Sequence, residues 1–213
     1  MEIVASDFAL FEQPEFSFKK LKAKKSTAEI TALKTDYQTH WQKWKQLNQT
    51  VTLPPAFTVP KVESWTNGWN LRNHFWCAYR GSLRQQEATC LATLLNQKQF
   101  QIYLMYQHYK SDAHYKTKSE YNQVLEQVPR WAERHEIGSF YIWDNAEPEL
   151  HTHLPLAEYL ADPAYQNAFR AHLEATDSTF QLGALFYAPG PIVSVTEKIA
   201  VYLQALAELY DAI

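Results

Sequence analysis

Residues 65–80 read WTNGWNLRNHFWCAYR, a run holding three of the chain's seven tryptophans, two arginines, a histidine and one of its two cysteines. Inside it, Asn67-Gly68 is the strongest short hairpin signal in the chain. A two-residue type I′ turn needs positive φ at both central positions, which Asn and Gly accept at least cost. With these two as the turn, Thr66 faces Trp69, Trp65 faces Asn70 and Glu63 faces Arg72. The opposite-charge pair agrees with that register, although one such pair contributes only about 0.2–1 kcal/mol.

Working outward, Lys61–Thr66, Trp69–Arg80, Glu87–Asn96 and Gln99–Tyr109 read as strands, separated by turns over 81–86 and 96–98. Loops this short join antiparallel neighbours, because a parallel pair needs a long crossover. A turn centred on Leu83-Arg84 sets Cys77 opposite Cys90 and Arg80 opposite Glu87. A turn centred on Gln97 sets Cys90 opposite Leu104 and Thr93 opposite Gln101. One face then carries Phe75, Cys77, Tyr79, Ala88, Cys90, Ala92, Leu94, Phe100, Ile102 and Leu104, a core face. The other carries Glu63, Trp65, Arg72, His74, Trp76, Arg80, Thr93, Gln101, Tyr103 and Gln107.

Before this meander, residues 7–12 read as a helical turn with Asp7 as a cap and Pro14 closing it. The cluster Lys19, Lys20, Lys22, Lys24 and Lys25 reads as a solvated linker, with a phosphate-binding arm as the sharper alternative. Ser26-Thr27-Ala28-Glu29 is a capping box. It opens a long helix whose stripe is Ile30, Leu33, Tyr37, Trp41, Trp44 and Leu47. Pro54-Pro55 and Pro60 mark an extended loop.

After the meander, helix and strand alternate. Thr117–Glu120 is a second capping box, and Pro129 interrupts the helix that follows. Ser139–Trp143 and Thr179–Tyr187 read as strands. Asp162-Pro163 caps a helix over Ala164–Ala175. Ser194–Glu197, a third capping box, starts a C-terminal helix that buries Ile199, Tyr202, Leu203, Leu206, Leu209 and Ile213. The expected fold is therefore α+β: a single domain over 1–213 with an N-terminal helical segment (about 1–50). A central antiparallel β-meander (about 61–109) carries packed helices and gains further strands from the C-terminal half.

The chain has 213 residues, is 46% hydrophobic and 15% aromatic, and carries a formal charge of −3. This is a folded globular composition without the global basic charge that would favour nucleic acid or anionic membranes. No apolar run approaches the roughly 20 residues of a spanning helix, and the N-terminus lacks the order of a signal peptide. A cytoplasmic location with reduced Cys77 and Cys90 is expected. Walker, GxGxxG, HExxH, CxxC and GxSxG motifs are absent, so no cofactor is indicated. The segment DNAEPELHTH over 144–153 gathers acids and histidines, but its spacing matches no standard ligand set and no metal site is assigned. His108, Lys110, Asp112 and His114 read as loop.

Polar groups among aromatic rings are what small-molecule pockets use. The candidate ligand-binding residues are therefore Glu63, Arg72, His74, Trp76, Arg80, Tyr103 and Gln107. Either arginine could fork a carboxylate or phosphate of a small anion, and His74 could exchange protons near neutral pH. A covering helix, Ser26–Leu47, would close this face instead. Two alternatives compete with a small-ligand protein or enzyme: a nucleic-acid-associated protein using the Lys19–Lys25 cluster, and an interaction module using the tryptophan-bearing helix.

The stretches EFSFKKLK (15–22), KVESWTNGWNLRNHFW (61–76) and IYLMYQHYKS (102–111) resemble a family of small uncharacterised bacterial proteins. Some of its members carry a glucose-6-phosphate dehydrogenase label. The resemblance would cover most of the chain and implies no catalytic residue by position. The sequence has no dinucleotide fingerprint to accompany that label.

Overall fold

A computed structural model of the chain describes residues 1–108 and 116–213. Its strands are β1 (Lys61–Val62), β2 (Thr66–Asn67), β3 (Asn70–Leu71), β4 (Phe75–Tyr79), β5 (Thr89–Leu95), β6 (Gln99–Tyr106), β7 (Phe140–Asp144), β8 (Leu154–Pro155) and β9 (Phe180–Tyr187). Its helices are α1 (Ala5–Ala9), α2 (Phe18–Lys24), α3 (Thr27–Gln49), α4 (Lys118–Asn122), α5 (Val128–Ala132), α6 (Leu156–Ala161), α7 (Pro163–Ala175) and α8 (Val195–Asp211). The expected α+β class is what forms. Seven strands make one antiparallel sheet in the order β1-β4-β5-β6-β9-β7-β8, and β2-β3 make a separate two-stranded ribbon. The late strand β9 enters between the meander and β7, pairing with both.

The register differs from expectation in an instructive way. The hairpin turn is Gly68-Trp69, because Asn67 pairs with Asn70 and Thr66 with Leu71. Gly68 takes φ 59°, the first central position of a type II′ turn, where glycine is required. Arg72 N–H donates to Trp65 O and Glu63 N–H to Trp76 O, both at 3.0 Å. Ser64 thus stands alone against Asn73, His74 and Phe75, a bulge. These shifts are even, so Glu63 and Arg72 stay on one face and still meet at 2.7 Å. Trp65 does not stay with them; it packs against the helix-side core.

The next two shifts are odd. Cys77 pairs with Thr93, and Cys90 with Met105. A one-residue shift turns every side chain over, and two in succession invert β5 while restoring β6. Thr93 therefore leaves the polar-aromatic face and donates to Asn48 Oδ1 at 2.5 Å on the other side. Ala88 stays with the helix-side core, while Cys90, Ala92 and Leu94 join Trp76 and Tyr103. Cys77 and Cys90 are both buried, in different clusters, and form no disulfide with one another. The cause lies in the loops. Arg84 donates to Tyr210 O at 2.5 Å and its guanidinium stacks 3.9 Å over the Tyr210 ring, so α8 sets the connection after Arg80. Asn96 Oδ1 accepts from Lys98 N–H and Gln99 N–H, an Asx-type closure that centres the second turn on Gln97-Lys98.

The helices gather on one face. The α3 capping box forms, with Ser26 and Glu29 exchanging bonds, and its stripe buries Ile30, Tyr37, Trp44 and Leu47. Trp44 meets Phe75 and Phe100 there, so α3 covers the core face and leaves the polar-aromatic face uncovered. The lysine cluster is helix α2, anchored by buried Leu21, rather than a linker. Asp7 sits inside α1, not at its cap, and accepts from Val4 N–H at 2.8 Å. The helical run after Thr117 is interrupted, and Pro129 sits in the first turn of α5. The Thr117 box and the Asp162 cap form, but Ser194 takes φ 52° and its side chain caps nothing. Among the described residues, no helix is long and apolar enough to cross a membrane.

Candidate functional site

The uncovered face of the sheet floors a cavity of about 290 Å³. β4 contributes Trp76, β5 Leu94, β6 Gln101, Tyr103 and Met105, β7 Trp143 and β9 Gln181. The bulge between β3 and β4 delivers Arg72 and His74, and Gln107 follows β6. Glu63, Asn145, Glu147 and Glu149 complete the lining. Glu63, Arg72, His74, Trp76, Tyr103 and Gln107 thus converge as expected from the face assignment. Arg80 does not join them. It lies on the same face but at the end of the sheet, its guanidinium bound to Gln107 Oε1 and, at 3.2 Å, to Glu87 O.

Gly183 lets the floor form. It pairs directly with Tyr103, and a Cβ at that position would lie 2.3 Å from Tyr103 Cβ. Only glycine lets β9 run under that ring. The Tyr103 hydroxyl accepts from Trp76 Nε1–H at 3.0 Å, and its ring lies 5.9 Å from that of Trp143. Burial pushes the Tyr103 hydroxyl far above its ordinary range, so it remains an O–H donor.

The 145–151 loop forms one wall, held by side-chain bonds to its backbone. Ala146 N–H donates to Asp144 Oδ1 at 2.8 Å and Asp144 N–H to Glu147 Oε1 at 3.1 Å. Lys98 Nζ reaches Leu150 O and His151 O, and Gln99 Nε2 donates to Glu149 O. His151 is exposed, whereas His153 is buried and stacks 4.5 Å from Trp143. The two histidines therefore do not share a face. Among the described residues, no group of three or more His, Cys, Asp or Glu is placed to hold a metal ion. Lys110, Asp112 and His114 lie outside the described residues.

Charges in the wall occur in pairs. Arg72 Nη2 lies 2.7 Å from Glu63 Oε2 and His153 Nδ1 lies 3.1 Å from Glu147 Oε2. His74 Nδ1 lies 3.3 Å from Glu149 Oε2, an ion-pair distance, but at an angle that leaves the nitrogen without a hydrogen bond. Desolvation raises the Glu149 carboxyl, and the adjacent His74 and Asn96 more than reverse it, so Glu149 titrates below the usual carboxylate range. Burial pushes His153 down despite Glu147 beside it. Arg72 Nε is also buried without a hydrogen bond. Gln101, 2 % exposed, borders the cavity with no hydrogen-bonded side-chain partner among the described residues.

Sequence reasoning missed Leu94, Met105, Trp143, Asn145, Glu147, Glu149 and Gln181 as lining. Leu94 was lost with the β5 register. Trp143 and Gln181 belong to β7 and β9 and Asn145 follows β7, and the placing of these strands beside β6 leaves no local signal. Glu147 and Glu149 were visible as an acidic loop, without an indication of which face the loop crosses.

The class that fold and site define is an α+β sheet protein with an open, polar-aromatic cavity on the sheet face that no described helix covers. A protein-family model matches residues 3–213. The chain is 32% identical over 151 residues to an uncharacterized protein of Haemophilus influenzae (strain ATCC 51907 / DSM 11121 / KW20 / Rd), an alignment covering 70% of each chain. The chain belongs to this family of uncharacterised bacterial proteins.

Proposed function

We propose that the chain is a small-ligand-binding protein whose ligand enters the cavity over Trp76, Tyr103 and Trp143. The observation that carries this reading is the set of unspent polar atoms in the wall. Buried polar groups are almost always hydrogen-bonded, yet Arg72 Nε and His74 Nδ1 are not. Gln101 beside them has an unpartnered amide. Leaving the Arg72 and His74 nitrogens unpaired costs about 1–3 kcal/mol each, which a ligand with matching edges would recover. The volume suits a compact molecule, at the lower end of the roughly 300–1,000 Å³ of small-molecule sites. A cytoplasmic setting is supported by Cys77 and Cys90, which sit in different clusters rather than in a disulfide.

The two alternative readings keep less support. Lys19, Lys20, Lys22 and Lys24 lie on a short exposed helix with Lys25 at its end, but Arg80, which could have added a cation from the sheet, is buried and bonded. Trp44 faces the chain's own core, and Trp41 packs against it, so the partner-binding helix face loses its aromatic character.

The test is a thermal-shift screen of the full chain against a broad panel of small metabolites. At least one compound should stabilise the wild type. Arg72→Ala and His74→Ala should abolish that shift while keeping the far-UV circular dichroism of the wild type. A wild type that responds to nothing in the panel sinks the reading.

A further inference from the structure

Arg72, the one arginine of the cavity lining, is already paired with Glu63. Glu149 stands beside His74, and Glu147 beside His153, which burial pushes toward its neutral form. An anionic ligand would have to pull Arg72 from Glu63 and enter beside two further carboxylates, which leaves a desolvated charge unmatched. The groups left over are of another kind. The Gln101 amide can donate and accept, and nothing in the described protein bonds it. The Tyr103 hydroxyl accepts from Trp76 and keeps its own hydrogen to give. Arg72 Nε–H is buried with no acceptor. Around them, Trp76, Tyr103 and Trp143 supply an apolar floor.

Resting on the pocket reading above, we infer that the ligand is an uncharged ring bearing several hydroxyl or amide groups, rather than the small anion that isolated arginines suggest. Its apolar face lies on the aromatic floor, and its edge exchanges hydrogen bonds with Gln101, Tyr103 and Arg72. Hydroxyls and amides satisfy such a wall because each can both give and receive a hydrogen bond. A cyclic polyol and a heterocyclic base or amide share this chemistry, and the test separates them.

The experiment is titration calorimetry on the full chain with probes matched in shape and differing in charge. Nicotinamide is compared with nicotinate, uracil with orotate, benzamide with benzamidine, and myo-inositol with its monophosphate. A neutral member should bind, with its charged counterpart weaker by at least about tenfold, equivalent to about 1.4 kcal/mol. Binding by inositol or by a heterocycle identifies the source. Gln101→Leu should remove that binding yet melt no lower than the wild type, since the amide it replaces has no partner to lose. Tighter binding by the charged members overturns the ligand class and leaves the pocket reading intact. Failure of every neutral probe also overturns the class. If the broad metabolite panel is silent as well, the pocket reading falls with it.

Discussion

Asp7, His40 and Lys43 join α1 to α3 through a buried carboxylate. Asp7 is 3 % exposed and receives His40 Nδ1 at 2.8 Å and Lys43 Nζ at 2.5 Å. Burial raises the Asp7 carboxyl, but His40, Lys43 and the Val4 N–H outweigh it and hold it below its ordinary 3.8. The Asp7 bond lifts His40 above its ordinary 6.5. For His40, raised in the folded state, the contribution is complete below 6.5 and is lost as pH rises through the folded value. For Asp7, lowered in the folded state, it is present above 3.8 and lost as pH falls through the folded value. Calorimetric melting against pH should therefore show the wild type losing its margin over His40→Ala as the pH rises past 6.5. Equal slopes for the two proteins would exclude the contact as the cause. Asn48 carries a different weight at this scale. It accepts from Tyr79 Oη at 2.6 Å and Thr93 Oγ1 at 2.5 Å, both buried. Asn48→Ala strands two hydroxyls and should cost about 2–4 kcal/mol in chemical denaturation. Because Asn48 lies across the sheet from the cavity, any ligand response should survive.

At the scale of elements, the end of α3 and the crossing of β9 are the exposed weak points. Ser26→Ala removes a cap whose side chain serves Glu29 N–H, a loss of about 1 kcal/mol. Gly183→Ala is of another order of consequence. Its methyl would meet Tyr103 Cβ and the Ile102 carbonyl, and such overpacking costs about 1–3 kcal/mol. The variant should also weaken ligand response by displacing Tyr103, so urea denaturation and thermal shift should change together. A Gly183→Ala protein with normal stability would show that β9 does not run as described. The β5 strand shows why face assignment from local turns is fragile. Its residues, TCLATLL, are buried on both faces and carry no alternation to mark the sides, so an odd change of loop register exchanges them, and the loop after Arg80 answers to Tyr210 on α8 rather than to its own sequence. Glu63 and Arg72 escaped because the hairpin and bulge shift by even steps.

For the whole molecule, the sheet is closed by its last strand. β9 lies between β6 and β7, so the meander alone has a bare edge where Tyr103, Leu104 and Ile102 expect partners. A fragment ending before residue 178 should lack the cooperative unfolding of the full chain, for which we expect one transition by circular dichroism and by tryptophan fluorescence. A fragment that melts cooperatively on its own would mean that the meander folds as an independent unit. The sequence by itself determined the α+β class, the capped helices, the antiparallel meander and most of the residues on the polar-aromatic face, because periodicity, turn residues and caps act over a few neighbours. Only the tertiary structure decided that α3 lies on the opposite face, that β9 and β7 extend the floor with Gln181 and Trp143, and that Glu147 and Glu149 form the wall. It also moved Arg80 out of the site and turned Thr93 and Trp65 away from it. Those outcomes depend on long-range pairing and on which surface buries more apolar area, and neither is encoded in any short window of the chain.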